Sequence, residues 1–141
     1  MKDAFDADVL IYAATPRHPI GSLVVARFAA HGDAEPAGIG SVLLLPEVLS
    51  RPTRDGSEDE LAALHGLLAR LELLPVEPAV ADLSVVLGAT YRLRAADATH
   101  LATAVHAGAD RFITNNTRDF VGEISEIAIT HPGALADDPA P

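Results

Sequence analysis

Four acidic residues stand at four separate points of the chain, each close to where a strand or helix would begin or end. They are Asp6 in Phe5-Asp6-Ala7-Asp8-Val9-Leu10-Ile11, Glu47 in Leu45-Pro46-Glu47-Val48-Leu49, Asp97 in Ala95-Ala96-Asp97-Ala98-Thr99-His100, and Asp119 in Thr114-Asn115-Asn116-Thr117-Arg118-Asp119-Phe120. Carboxylates drawn together from distant parts of a chain repel one another and stay ionised only where a cation is supplied. Oxygen ligands without His or Cys suit a hard ion, Mg²⁺ or Mn²⁺. Mg²⁺ usually keeps several waters, and one of these can attack a phosphodiester while the ion steadies the charge on phosphate. Metal-assisted phosphodiester hydrolysis is therefore the chemistry these residue types could support.

Each acid also has a structural explanation. Asp97 could stabilise a helix N-terminus, and Asp119 could shape a turn. Glu47 lies among Leu43, Leu44, Leu45, Val48 and Leu49, so it is either buried at a cost or turned into a cleft. Asp6, between Phe5 and an apolar run, is the hardest to explain without a ligand, because a carboxylate at the end of a buried strand is costly. His100, one turn on from Asp97, reads as a partly buried helix residue that could reach the site. Arg51, Arg54, Arg92, Arg94 and Arg118 are candidate phosphate contacts, each with solvated surface arginine as the alternative.

The elements that must position these residues alternate. The stretch from Ala4 to Val9, running into Leu10, Ile11 and Tyr12, reads as a buried first strand. Ile20 to Ala30 has helical spacing. Pro36 to Ile39 is a short strand. Ser41 is placed to cap a helix running through Leu49, with Pro46 as a kink. Residues 51–56 read as a polar connection, and Ser57-Glu58-Asp59-Glu60 as a capping box opening a helix to Leu71. A strand Leu73–Val76, a helix from Pro78, a helix Ala95–Ala107 closed by Gly108, a strand Arg111–Thr114 and a short strand Ile127–Ile129 follow. Strands alternating with helices predict an α/β fold with a mostly parallel sheet, whose sites form beyond the carboxyl ends of the strands. No repeat or linker divides the chain. A single domain over residues 1–132 is expected, with an Ala-, Asp- and Pro-rich flexible tail over 133–141, where Asp137 and Asp138 would be solvated.

Bulk properties narrow the function classes. The 141 residues suffice for one core, and 49% hydrophobic content is that of a globular chain. With no cysteine, thiolate metal sites, disulfides and cysteine nucleophiles are excluded. Neither a secretory signal nor an apolar run approaching a membrane span of about 18 residues is present, so the expectation is a cytoplasmic protein without membrane contact. The net charge of −10, with one lysine and nine arginines, leaves no overall basic footprint for nucleic acid. It is met by a solubilising surface, by acids that hold cations, or by a basic partner.

The order of these segments resembles the PIN domain, and most closely the VapC-type toxins of toxin–antitoxin pairs. The resemblance runs from Asp6 to about Phe120. It is most specific in Leu93-Arg94-Ala95-Ala96-Asp97-Ala98-Thr99-His100-Leu101-Ala102-Thr103-Ala104 and in Thr114 to Phe120. It implies a three-layer fold with a mostly parallel sheet between helices, and Mg²⁺-dependent (or Mn²⁺-dependent) cleavage of RNA leaving 5′-phosphate and 3′-hydroxyl ends. It makes Asp6 and Asp97 the principal metal carboxylates, Glu47 the third acid and Asp119 the fourth, with Thr114, Asn116 and Arg118 positioning substrate. Asn116 stands where some members carry an acid, so Asp119 would act through water or position Thr114 and Asn116. Asp8 replaces the Asn or Ser often found there, and would bind a second metal or face solvent. A homodimer and a cognate antitoxin that blocks the site are also implied.

Two other readings use the same residues. One is a PIN-like module that binds a partner without catalysis, and convergence of Asp6, Glu47 and Asp97 would argue against it. The other is a haloacid-dehalogenase-like phosphatase built on Asp6-Ala7-Asp8. That chemistry needs a lysine downstream, and the single lysine, Lys2, precedes the motif.

Overall fold

A computed structural model describes residues 1–120 and 123–139. Among these residues, five strands form one all-parallel sheet: β1 (Asp3–Phe5), β2 (Gly38–Ser41), β3 (Leu71–Leu74), β4 (Arg111–Ile113) and β5 (Ala128–Thr130), in the order β3-β2-β1-β4-β5. Six helices accompany them: α1 (Ala7–Ala14), α2 (Pro19–Ala30), α3 (Leu44–Asp55), α4 (Glu58–Leu68), α5 (Pro78–Tyr91) and α6 (Ala95–His106). Neighbouring strand residues point to opposite faces, and here each face has its own core. Phe5 and Ile113 pack with Val9, Leu10, Val24, Phe28, Leu64 and Leu68, while Ala4 and Phe112 pack with Ile39, Leu87, Leu101 and Phe120. Both faces are covered, as a parallel sheet requires, giving the three-layer α/β architecture. No helix among the described residues is long and apolar enough to cross a membrane.

The first strand is shorter than its apolar run suggests. β1 ends at Phe5, and Val9 to Tyr12 lie in α1 rather than in the strand. Apolar runs this short carry no periodicity that separates a buried strand from a buried helix. Asp6 decides the matter: it has extended backbone and its side chain accepts a hydrogen bond from the Ala7 amide at 2.8 Å, capping α1. α1 then lies so close to α2 that a Cβ on Gly21 would fall 2.0 Å from the Tyr12 carbonyl oxygen, which only glycine allows.

Three further expectations change. Helix α3 starts at Leu44 and continues to Asp55, so Arg51 and Arg54 are helical; Gly56, at φ 66°, stops it in the left-handed region. Pro46 therefore falls in the first turn, where backbone amides have no helical acceptor, and its ring is tolerated there. The Ser57 side chain makes no capping bond to α4, and Glu60 instead accepts from Arg51. Finally, residues beyond Pro132 are not frayed as far as they are described. Pro132–Asp137 forms a 3₁₀ helix with Leu135 buried.

Asp138 is not solvated either. It accepts two bonds from Arg111, at 2.7 and 3.2 Å, and Arg111 donates two more to Asp3, at 2.8 and 2.9 Å. Arg27 reaches the same Asp3 carboxylate at 3.4 Å. Asp3 and Arg111 start β1 and β4, so this ion-pair network clamps the amino end of the sheet and the C-terminal segment together.

Candidate active site

The other end of the sheet collects the candidate residues. The strand order reverses direction between β1 and β4, which makes the carboxyl ends of these two strands a topological switch point. Their register pairs Phe5 with Ile113, and the Asp6 amide continues the ladder to the Ile113 carbonyl at 3.0 Å. One step on, Thr114 Oγ1 donates to Asp6 Oδ2 at 2.8 Å. Asp6 is 4% exposed and Thr114 is fully buried.

Glu47 and Asp97 lie in the first turns of α3 and α6, and Asp6 caps α1. Three helix N-termini therefore carry the three acids, and their positive dipole ends favour negative charge. That does not remove the repulsion. Burial, and then the charges of Asp6, Glu47 and Asp119, raise the Asp97 carboxyl above its usual range, with His100 pulling it back. Burial likewise raises Asp6; the Thr114 bond and His100 oppose it, and Glu47 adds to it. Burial and the charge of Asp6 push Asp8 up to about 7. The four acids chosen from sequence, plus Asp8, thus share one electrostatic neighbourhood.

The turn after β4 is organised around two asparagines. Asn116 donates its backbone N–H to Thr114 Oγ1 at 3.0 Å and its side-chain amide to Asp119 Oδ2 at 3.1 Å, while the Asp119 amide donates to Asn116 Oδ1 at 3.2 Å. Asp119 is thereby linked to Asp6 through Asn116 and Thr114. The Asn115 amide donates to Asp8 Oδ2 at 3.1 Å, so Asp8 does not simply face solvent. The Asn115 side chain joins Tyr12 at 3.3 Å and His131 at 2.7 Å. Among the described residues, Asp8 Oδ1 is buried without a hydrogen-bond partner.

His100 is more than the partly buried helix residue expected from sequence, and lies with the candidate acids. Its Nε2 bonds Glu47 Oε2, joining α6 to α3. The available signal was its spacing of three from Asp97, which puts both on one helix face. Burial, the largest influence, would lower the His100 pKa. The Glu47 bond and the charges of Asp6, Glu47 and Asp97 together overcome it and raise the pKa. Among the arginines, Arg51 is engaged by Glu60 and Arg54 by Asp55, while Arg92, Arg94 and Arg118 are exposed.

Among the described residues, no three Asp, Glu or His side chains form a ready cage for one ion. A hydrated Mg²⁺ does not need one, because it is usually held by one or two carboxylates and several waters. An oxygen-only donor set, mutual repulsion and an orphaned buried Asp8 oxygen fit such an ion.

The chain belongs to the PIN-domain family, whose model matches residues 4–122. It is similar in structure to a chain of a toxin–antitoxin complex from Klebsiella pneumoniae, with 25% identity and a TM-score of 0.72 over 94% of this chain and 98% of that one. The fold is shared with VapBC2 from Rickettsia felis bound to a DNA fragment from their promoter, at 17% identity, TM-score 0.72, and 93% and 98% coverage. It is shared too with DNA-bound VapBC from Salmonella typhimurium, at 21% identity, TM-score 0.72, and 94% and 98% coverage. No curated protein sequence matches the chain.

Proposed function

We propose that this protein is a divalent-metal-dependent endoribonuclease, the toxin of a toxin–antitoxin pair. The observation that carries the reading is the convergence of Asp6, Glu47 and Asp97 at the switch point of a PIN-domain sheet, each within the electrostatic reach of another. Asp6 and Asp97 would hold Mg²⁺ or Mn²⁺, with Glu47 as third acid and Asp119 contributing through water or through Asn116. The chemistry supplied by that ion when bound is activation of a water and stabilisation of charge on the phosphodiester. The chain's own part is orientation. Thr114 fixes one oxygen of Asp6 and the Ala7 amide the other, so the carboxylate cannot rotate away. Arg118, exposed in the turn beside Asp119, would meet phosphate.

Partner and location follow from the same reading. An antitoxin presenting basic side chains suits a chain of net charge −10 and would cover the acids. A homodimer in the cytoplasm is the expected form. The non-catalytic module remains the second reading, because Glu47 is already engaged by His100 and both Asp6 oxygens are bonded. The phosphatase reading gives way to the family match. A pooled RNA substrate incubated with the protein and Mg²⁺ or EDTA separates nuclease from module. Cleavage with Mg²⁺ alone supports the nuclease, and none under either condition favours the module.

A further inference from the structure

Glu47 and His100 are 53 positions apart and meet at the acid end of the sheet. The His100 side chain is 0% exposed, whereas that of Glu47 is 37% exposed. A half-exposed glutamate on a first helical turn has several rotamers open to it and no reason to keep one. The imidazole supplies that reason, since its Nε2 meets Oε2 of Glu47. Its own position is fixed, because α6 is buried from Ala98 to Ala104.

The other ring nitrogen makes the arrangement informative. His100 Nδ1 is buried and has no hydrogen-bond partner among the described residues. An unpaired buried polar atom is a cost that an apolar side chain of similar volume would avoid. Packing alone therefore does not explain a histidine within the buried stretch Ala98 to Ala104 of α6. Its bond to Glu47 does.

We propose that His100 is a positioning residue that holds the Glu47 carboxylate in the orientation the site uses. The proposal rests on the nuclease reading above, and it makes one member of the acid set dependent on a residue that need not touch metal or RNA. Groups that orient a ligating carboxylate typically change metal affinity or activity about 10–100-fold when removed.

The test is a double-substitution cycle. His100→Leu fills the space without a donor, and His100→Gln restores an N–H donor. His100→Leu should lower kcat on RNA about 10–100-fold and weaken Mn²⁺ binding by a similar factor in calorimetry, with KM for RNA unchanged. His100→Gln should recover most of both. In a Glu47→Ala background His100→Leu should have no further effect, because its target is gone. Circular dichroism checks the fold, and His100→Met replaces the leucine variant if that one unfolds. An equal loss in both backgrounds, an unaffected leucine variant, or a folded glutamine variant that recovers nothing would overturn the proposal. So would a Glu47→Ala protein that binds metal and cuts as the parent does. A parent that cuts no RNA would instead contradict the nuclease reading, and calorimetry would still decide the positioning role.

Discussion

Thr114 donates its hydroxyl to Asp6 at 2.8 Å because β1 and β4 are parallel neighbours in register, so that each strand's next residue meets the other's. The same hydroxyl accepts the Asn116 amide at 3.0 Å, so it is used as both donor and acceptor. Thr114→Val keeps the shape and strips both bonds. It should cost about 1–3 kcal/mol in urea denaturation, since buried partners are left unpaired, and should slow cleavage as Asp6 loosens. Thr114→Ser should restore most of each. A valine variant of parental stability and rate would mean that the bond contributes nothing.

The repelling acids give the stability a definite pH dependence. Asp8 has a folded pKa of about 7, well above the ordinary carboxylate value, and Asp6 and Asp97 are raised too. A raised folded pKa contributes stability that is complete below the unfolded pKa and is lost as pH rises through the folded one. The raised His100 acts in the same direction, as its protonated form is the one stabilised. Metal-free Tm should therefore fall as pH rises through about 7, and Asp8→Asn should flatten that slope while adding Mg²⁺ should offset it. Scanning calorimetry in EDTA over this interval reads the slope directly; a Tm that rises there, or a variant with the parental slope, would contradict the argument.

Arg111 tests the opposite end of the sheet. Among the described residues, Arg111→Met leaves the Asp3 side chain, 1% exposed, with the longer 3.4 Å contact to Arg27. Removing one member of a buried pair typically costs about 3–5 kcal/mol, measured here by urea denaturation. Asp138 loses its 2.7 and 3.2 Å bonds, so the C-terminal segment should become cleavable by protease. Mn²⁺ affinity should not change, because the site lies beyond the other ends of the strands. A change in affinity would mean that the two ends are coupled.

What was legible in the sequence, and what was not, divides along a physical line. Asp6, Glu47, Asp97 and Asp119 could be picked out because each sits in a local context that makes a carboxylate costly or conspicuous. The start of α5 followed from Pro78, and α2 and α6 were placed to within about a residue by periodicity and by Gly108. The end of β1 did not, because Val9, Leu10 and Ile11 suit either a buried strand or a buried helix, and only the Asp6 cap decides. The pairing of Asp138 with Arg111 and of Glu47 with His100 joins residues far apart in the chain. Composition marks Asp138 as part of a polar tail, and nothing local shows that a buried arginine waits for it.

If the converging carboxylates run metal-dependent RNA hydrolysis, Asp97→Asn should abolish it. Parent and variant are incubated with pooled RNA and Mg²⁺, and new 5′ ends are mapped by sequencing. The parent should leave 5′-phosphate ends, and a folded variant only background levels. Its metal-free Tm should equal or exceed the parent's, because a raised, repelled carboxylate has been removed. A variant that cuts as fast as the parent would mean that Asp97 takes no part in cleavage.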